Sequence, residues 1–283
     1  MTEDDYDLDN IIKNRFEEAI EYFNKNGIKV EGLKLRIVKS IWSLFYRFIY
    51  FFLILLLIDV IAILYYATNI QIEYSLIESI IASFIIAILL LRLYQVTPGF
   101  YFFLTKEIFI LKKQLEKTVN EILDDLDNNN DIKDFSIIDI KLSKNSIILY
   151  PSYVDIKNIK NNIIKTVTDV IMAHEVGHAI IHSIVSKGEY KTSAFEYLVY
   201  FHKNEFYNYP EVYKIIEKNI KICKSYIEEN KRLNIYELGR CYGNIIIHKN
   251  KQQTNINIKD IIKEIKKLSK KDIIDTIKNY EIY

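Results

Sequence analysis

Residues 171–182 read Ile171-Met172-Ala173-His174-Glu175-Val176-Gly177-His178-Ala179-Ile180-Ile181-His182. They sit inside a longer run, about 160 to 186, with the apolar spacing of a helix. Positions i and i+4 of a helix lie one turn apart on one face. The His174 and His178 imidazoles can therefore hold one Zn²⁺ at ~2.0–2.1 Å each. Glu175, beside the first histidine, can reach a water at an open position of that ion and take its proton as the oxygen attacks a carbonyl. Only five histidines occur in the chain, so a chance HExxH match is rare. His182 continues the series but is turned further round the helix, which suits a supporting hydrogen bond or a plain buried ring better than a ligand.

Outward from this helix, two Ile-rich runs precede it, 135–142 and 146–150. They read as short strands joined by a turn at Ser143-Lys144-Asn145. After it the sequence predicts helices over about 193–203, 210–232, 235–248, 259–268 and 270–281. Pro210 suits a first helical position. Ser269 with Asp272 resembles a capping box.

The N-terminal half differs in character. Ile12, Phe16, Ala19 and Phe23 recur at helical spacing through 7–26, and Gly27 follows where a helix would stop. A basic stretch, Lys34 to Arg47, leads into two apolar runs, 48–67 and 76–96. Each has the length of a helix that crosses ~30 Å of hydrocarbon. The link between them carries no Lys or Arg and both flanks are basic, so the expectation is a transmembrane hairpin with both termini in the cytoplasm. Asp59, within the first run, is expected to be protonated and bonded to Ser83 across the hairpin. Beyond Pro98 and Gly99, the spacing of Leu104, Ile108, Leu111, Leu115, Thr118 and Ile122 predicts an amphipathic connecting helix, able to pack on the following domain or on a second copy. The polar stretch 124–134 reads as a domain boundary. It lacks the Gly and Glu of a calcium loop.

Composition narrows the function. The net charge of +1 gives a nucleic-acid reading no support. The acidic first ten residues do not resemble a signal peptide. Cys223 and Cys241 are too few for a disulfide scaffold and are expected to be reduced core residues.

The string HEVGHAIIH resembles the HExxH zinc peptidases, the zincins. It is closest to the HELGH-type motif of the gluzincin-like ImmA/IrrE family, over roughly 135–250 and strongly only over 173–182. FtsH-type peptidases carry a similar string behind two membrane spans but need an ATPase module, and this chain has no P-loop. HtpX-like membrane peptidases offer a third analogy. The resemblance implies a third zinc ligand, usually a glutamate on a later helix. Glu237 is preferred because Gly239 and Gly243 would let its helix pack closely against the motif helix. Glu205 and Glu196 are the alternatives. Asn234 with Glu237, and Ser193 with Glu196, also read as capping boxes.

The combined expectation is an α+β, mostly helical, zincin-like domain (131–283) behind an N-terminal segment (1–43), a transmembrane hairpin (44–97) and a connecting helix (98–130). It would bind one zinc through His174, His178 and Glu237, use Glu175 as base, and hydrolyse a protein or peptide at the cytoplasmic face of the lipid bilayer, possible homo-oligomerisation running through the connecting helix. The rival is a membrane adaptor with a structural or relic zinc site, for instance one closed by His182 or Cys241.

Overall fold

The computed structural model describes residues 3–66, scattered positions between 78 and 95, and 97–128, 138–142, 145–149, 159–181, 188–203, 205–208, 210–229, 231, 233–251 and 257–282. Helix α1 (Glu3–Lys25) leads to strand β1 (Lys34–Val38) and helix α2 (Ile41–Tyr66). Strands β2 (Gly99–Phe102) and β3 (Glu107–Leu111) precede helix α3 (Lys112–Asn128). A second strand pair, β4 (Ile138–Leu142) and β5 (Asn145–Leu149), is followed by helices α4 (Ile159–Ile181), α5 (Glu189–Lys203), α6 (Pro210–Glu228), α7 (Ile235–Lys249), α8 (Ile258–Lys267) and α9 (Lys270–Asn279).

The chain is mostly helical with two small sheets, which agrees with the α+β expectation. One sheet has the order β1-β3-β2, with β1 parallel and β2 antiparallel to β3. The other is the antiparallel β4-β5 pair. A single apolar cluster joins α1, β3 and α3 to α4 through α9. Helix α1 enters it with Leu8, Ile12, Ala19 and Phe23, and Phe23 stacks on Phe195 of α5 with ring centroids 5.6 Å apart. Gly27 follows at φ +70°, a conformation that costs glycine little and other residues more. Helix α1 and helices α4 to α9 thus share one core. The stripe Leu115, Val119 and Ile122 of α3, expected to meet a domain or a second copy, is buried in that same core.

Several expectations need correction. The helix predicted from residue 98 begins only at Lys112. Residues 99–111 form the β2-β3 hairpin, because β3 is buried on both faces and its continuous apolar run fits a strand as well as a helix. The transmembrane hairpin and the multi-pass membrane placement are overturned as well: among the described residues, no helix is long and apolar enough to cross a membrane. The first apolar run is not a separate anchor. It belongs to α2, whose base is part of the folded sheet. Leu44 and Phe48 pack with Val38, Phe109 and Leu111, and Arg47 pairs with Glu107. The second run and Ser83 fall largely outside the described residues, so the Asp59–Ser83 pairing does too. Cys223 and Cys241 are not free thiols. They form a disulfide between α6 and α7, with Cα atoms 6.0 Å apart.

The base of α2 is fastened by charge. Glu107, 1 % exposed, accepts from Arg36 Nε (2.9 Å), Arg47 Nη2 (2.6 Å) and Thr105 Oγ1 (2.8 Å). Burial opposes its ionisation, yet the two guanidiniums and the hydroxyl hold its carboxyl down at about 2. An unfolded glutamate titrates near 4.5, so this stabilisation is complete above that pH and is lost as pH falls toward 2. Its size is about 1–3 kcal/mol after allowing for the half-exposed arginines. Acid unfolding of the wild type should therefore steepen between these two pH values. Glu107→Gln should be less stable at pH 7 and should lose that part of the pH dependence, as followed by circular dichroism.

Helix α5 lies between α4 and α7 at close range. A Cβ at Gly177 would stand 2.7 Å from Phe195 Cδ1, and one at Gly239 would overlap the Tyr190 carbonyl oxygen and sit 2.7 Å from Ser193 Cβ. The close approach expected of Gly239 and Gly243 is present, but its partner is α5 rather than the motif helix. Backbone cannot yield as a flexible side chain can. Gly239→Ala should thus lower stability by about 1–3 kcal/mol despite the better helix propensity of alanine, measurable by denaturant unfolding.

Candidate metal centre

Helix α4 presents His174 and His178 one turn apart, as the spacing predicts. Their Nε2 atoms are 3.1 Å apart, and the rings meet edge-on. Glu189, at the first position of α5, faces both. Its Oε2 lies 3.4 Å from His174 Nε2 and 3.5 Å from His178 Nε2. That oxygen is buried and makes no hydrogen bond.

The other ring nitrogens are committed elsewhere. His174 Nδ1–H donates to Glu196 Oε2 at 2.8 Å, and Glu196 Oε1 accepts from Arg240 Nη2 of α7 at 3.2 Å. His178 Nδ1–H donates to Thr192 Oγ1 at 3.4 Å, whose hydroxyl donates to the Gly188 carbonyl at 3.3 Å. These partners fix the tautomer of each ring with its Nε2 lone pair toward the common point.

The donor set fits zinc. Tetrahedral ligands at ~2.0–2.1 Å from one ion lie about 3.3 Å from each other, and the three separations here are 3.1, 3.4 and 3.5 Å. Three acceptors converging in a partly buried site need a metal cation or a proton between them. His174, His178 and Glu189 form the one such group among the described residues. Among the described residues three ligands meet, which leaves a fourth tetrahedral position for water or substrate, the pattern of catalytic rather than structural zinc.

The electrostatics agree. Burial resists charging of His174, but Glu189 and Glu196 outweigh it and push the ring up to about 10 in the absence of metal. Burial likewise opposes ionisation of Glu189, which the two imidazoles hold down at about 2. Glu196 is held below the usual carboxylate range, against its burial, by Arg240 and His174. Glu175, 6 % exposed on the same helix, is raised by burial, partly offset by the two histidines and by the Tyr101 backbone N–H of β2. The Tyr236 ring of α7 lies 6.1 Å from that of His174. Burial and the nearby carboxylates push its hydroxyl up to about 12, so it keeps its proton.

The sequence-derived residues divide clearly. His174, Glu175 and His178 come together. Glu237 does not join them: its Oε2 accepts from the Asn234 N–H and its own N–H donates to Asn234 Oδ1, both 2.8 Å, making the capping box of α7. Glu196 is at the site, but its two oxygens serve His174 and Arg240. Glu205 is exposed beyond the end of α5 with φ +54°. His182 lies outside the described residues. Glu189 was missed because α5 was expected to start at 193, which left Glu189 in a connecting loop. The available signal was a glutamate directly after Gly188, suited to a helix first turn. Comparison with protein-family models, curated proteins and solved structures yields no match to the chain.

Glu189→Ala should lower zinc content well below one ion per chain in metal analysis. Glu237→Ala should leave zinc content unchanged while costing about 1 kcal/mol of stability through the lost cap. Glu196→Gln should weaken zinc about 10–100-fold by releasing the His174 ring.

Proposed function

We propose that this chain is a zinc-dependent peptide hydrolase. The observation that carries this reading is the spacing of His174 Nε2, His178 Nε2 and Glu189 Oε2 around one point, with Glu175 on the helix that supplies both imidazoles. Zinc bound there would lower the pKa of a water and polarise a carbonyl. Glu175 takes the proton of the attacking water and returns it to the leaving amine. Glu196 and Thr192 hold the two rings in register, and Arg240 keeps Glu196 ionised. Tyr236, protonated and with its ring near His174, is the candidate donor to the oxyanion that develops. Strand β2 is an edge of its sheet, and its Tyr101 N–H reaches Glu175. An extended peptide laid along that edge would find backbone partners beside the base.

The rival structural site loses one of its donors, because Cys241 is bonded to Cys223. Support for hydrolysis comes from the open position and from the acid-base pairing, and the HExxH resemblance points the same way.

The test is purified full-length chain, zinc analysis and a peptide library. Wild type should hold close to one zinc and cleave. Glu175→Gln should retain fold and zinc but lose at least about 10²-fold in kcat/KM. Wild-type turnover by Glu175→Gln would refute the mechanism, and absence of zinc in the folded, unchelated protein would refute the reading.

A further inference from the structure

A groove of about 620 Å³ opens directly from the metal centre, with His178 in its wall. Four parts of the chain build it: the α1–β1 connection, the β2-β3 turn, the end of α4 and one face of α8. Its apolar lining includes Ile28, Val30, Ile180 and Ile262. Its charges are unbalanced. Among the described residues Lys29, Lys106, Lys259, Lys263 and Lys266 line it against a single carboxylate, Glu31. Lys263 is partly satisfied by Asp260 at 2.9 Å. Lys106 is held at φ +54° in the β2-β3 turn, a conformation that a lysine adopts at some cost.

We propose that this groove takes the substrate segment next to the scissile bond, and that the segment is acidic: a peptide with apolar side chains interleaved with Asp or Glu. The inference deepens the peptidase reading and rests on it for the nature of the ligand. The volume lies within the ~300–1,000 Å³ typical of built ligand sites. Ammonium groups on an aliphatic floor suit carboxylates spaced along an extended chain. Among the described residues no arginine fork lines the groove for phosphates, so peptide is favoured over nucleic acid. Converging lysines also raise the local concentration of an anionic segment, an effect that salt weakens.

The test uses zinc-loaded full-length chain carrying Glu175→Gln, so that bound peptide is not consumed. Three fluorescent peptides of about a dozen residues share their apolar positions and differ at the others: Asp and Glu, Asn and Gln, or Lys. A single-stranded oligonucleotide serves as the fourth probe. By anisotropy at low salt the acidic peptide should bind at least about tenfold more tightly than the neutral one and the basic one more weakly still. The preference should shrink severalfold at high salt. Lys106→Glu combined with Lys259→Glu should abolish or invert it without changing zinc content. Equal binding of the three peptides, no binding of any, survival of the preference in the double variant, or equal competition by the oligonucleotide would overturn the proposal. Hydrolysis by wild type without charge preference sinks this inference alone. Acidic preference in Glu175→Gln with no hydrolysis by wild type sinks the hydrolase reading and leaves the groove's selectivity standing.

Discussion

The centre depends on how closely α5 can approach its two neighbours. Glu189, Glu196 and Thr192 all come from α5, and the histidines they serve come from α4. With Gly177 facing Phe195 and Gly239 facing the Tyr190 carbonyl, the helices close to a distance that any Cβ at either glycine would prevent. A carboxylate one ångström further out would no longer match the spacing of zinc ligands. Gly177 lies inside the HExxH motif, so the motif supplies both histidines and the space that brings Glu189 to them. Gly239 lies one residue before Arg240, so the contact that presses α7 onto α5 also delivers the guanidinium to Glu196.

Charge explains why this packing is tolerable. Glu175, Glu189 and Glu196 are brought around two imidazoles in a largely buried space. Desolvation alone would drive the carboxylates toward their neutral forms and leave poor ligands and a poor base. Each acid meets a different counterweight. Arg240 and the His174 ring keep Glu196 ionised, the two imidazoles do so for Glu189, and Glu175 is left with the strongest residual pull toward its proton. Three chemically identical side chains thereby acquire three different proton affinities from their surroundings, which suits the proposed roles of anchor, ligand and base.

The sequence made the motif helix legible because i, i+4 histidines in an apolar period admit little other geometry. The start of α4 and the boundaries of α6, α7, α8 and α9 also lie within a few residues of the expected ones, since their apolar stripes are long. Glu189 as the candidate third ligand was not legible. It depends on where α5 begins, and helix ends are set by local caps and tertiary packing rather than by period. Glu237 had two readings open to it, and the cap prevailed because Asn234 satisfies it within the same helix. The 99–111 segment misled because a fully buried strand such as β3 shows no alternation, so a helical spacing could be drawn through it. The long apolar runs misled in another way. Hydropathy over 48–67 counts Phe48 as lipid-facing material, whereas its ring packs on Phe102 and Phe109 of the sheet.

The expected division into an anchor and a peptidase domain also gives way to a different logic. The N-terminal half is not an appendage to α4. Phe23 of α1 stacks on Phe195, the residue that Gly177 accommodates. Arg15 of α1 lies 3.5 Å from Asp169 on α4, which Lys203 of α5 also pairs at 2.7 Å. Strand β2 passes so near α4 at Gly99 that a Cβ there would come 2.7 Å from Ile171, and two residues later its Tyr101 N–H reaches Glu175. A fragment starting near residue 130 would therefore expose the α1 face of α4 and α5, leave Asp169 short of a cation and strip the base of a hydrogen bond. The motif helix α4 is central in the packing because segments from both ends of the chain are needed to bury it, and the groove at its end exists only where α8 and the α1–β1 connection meet across it.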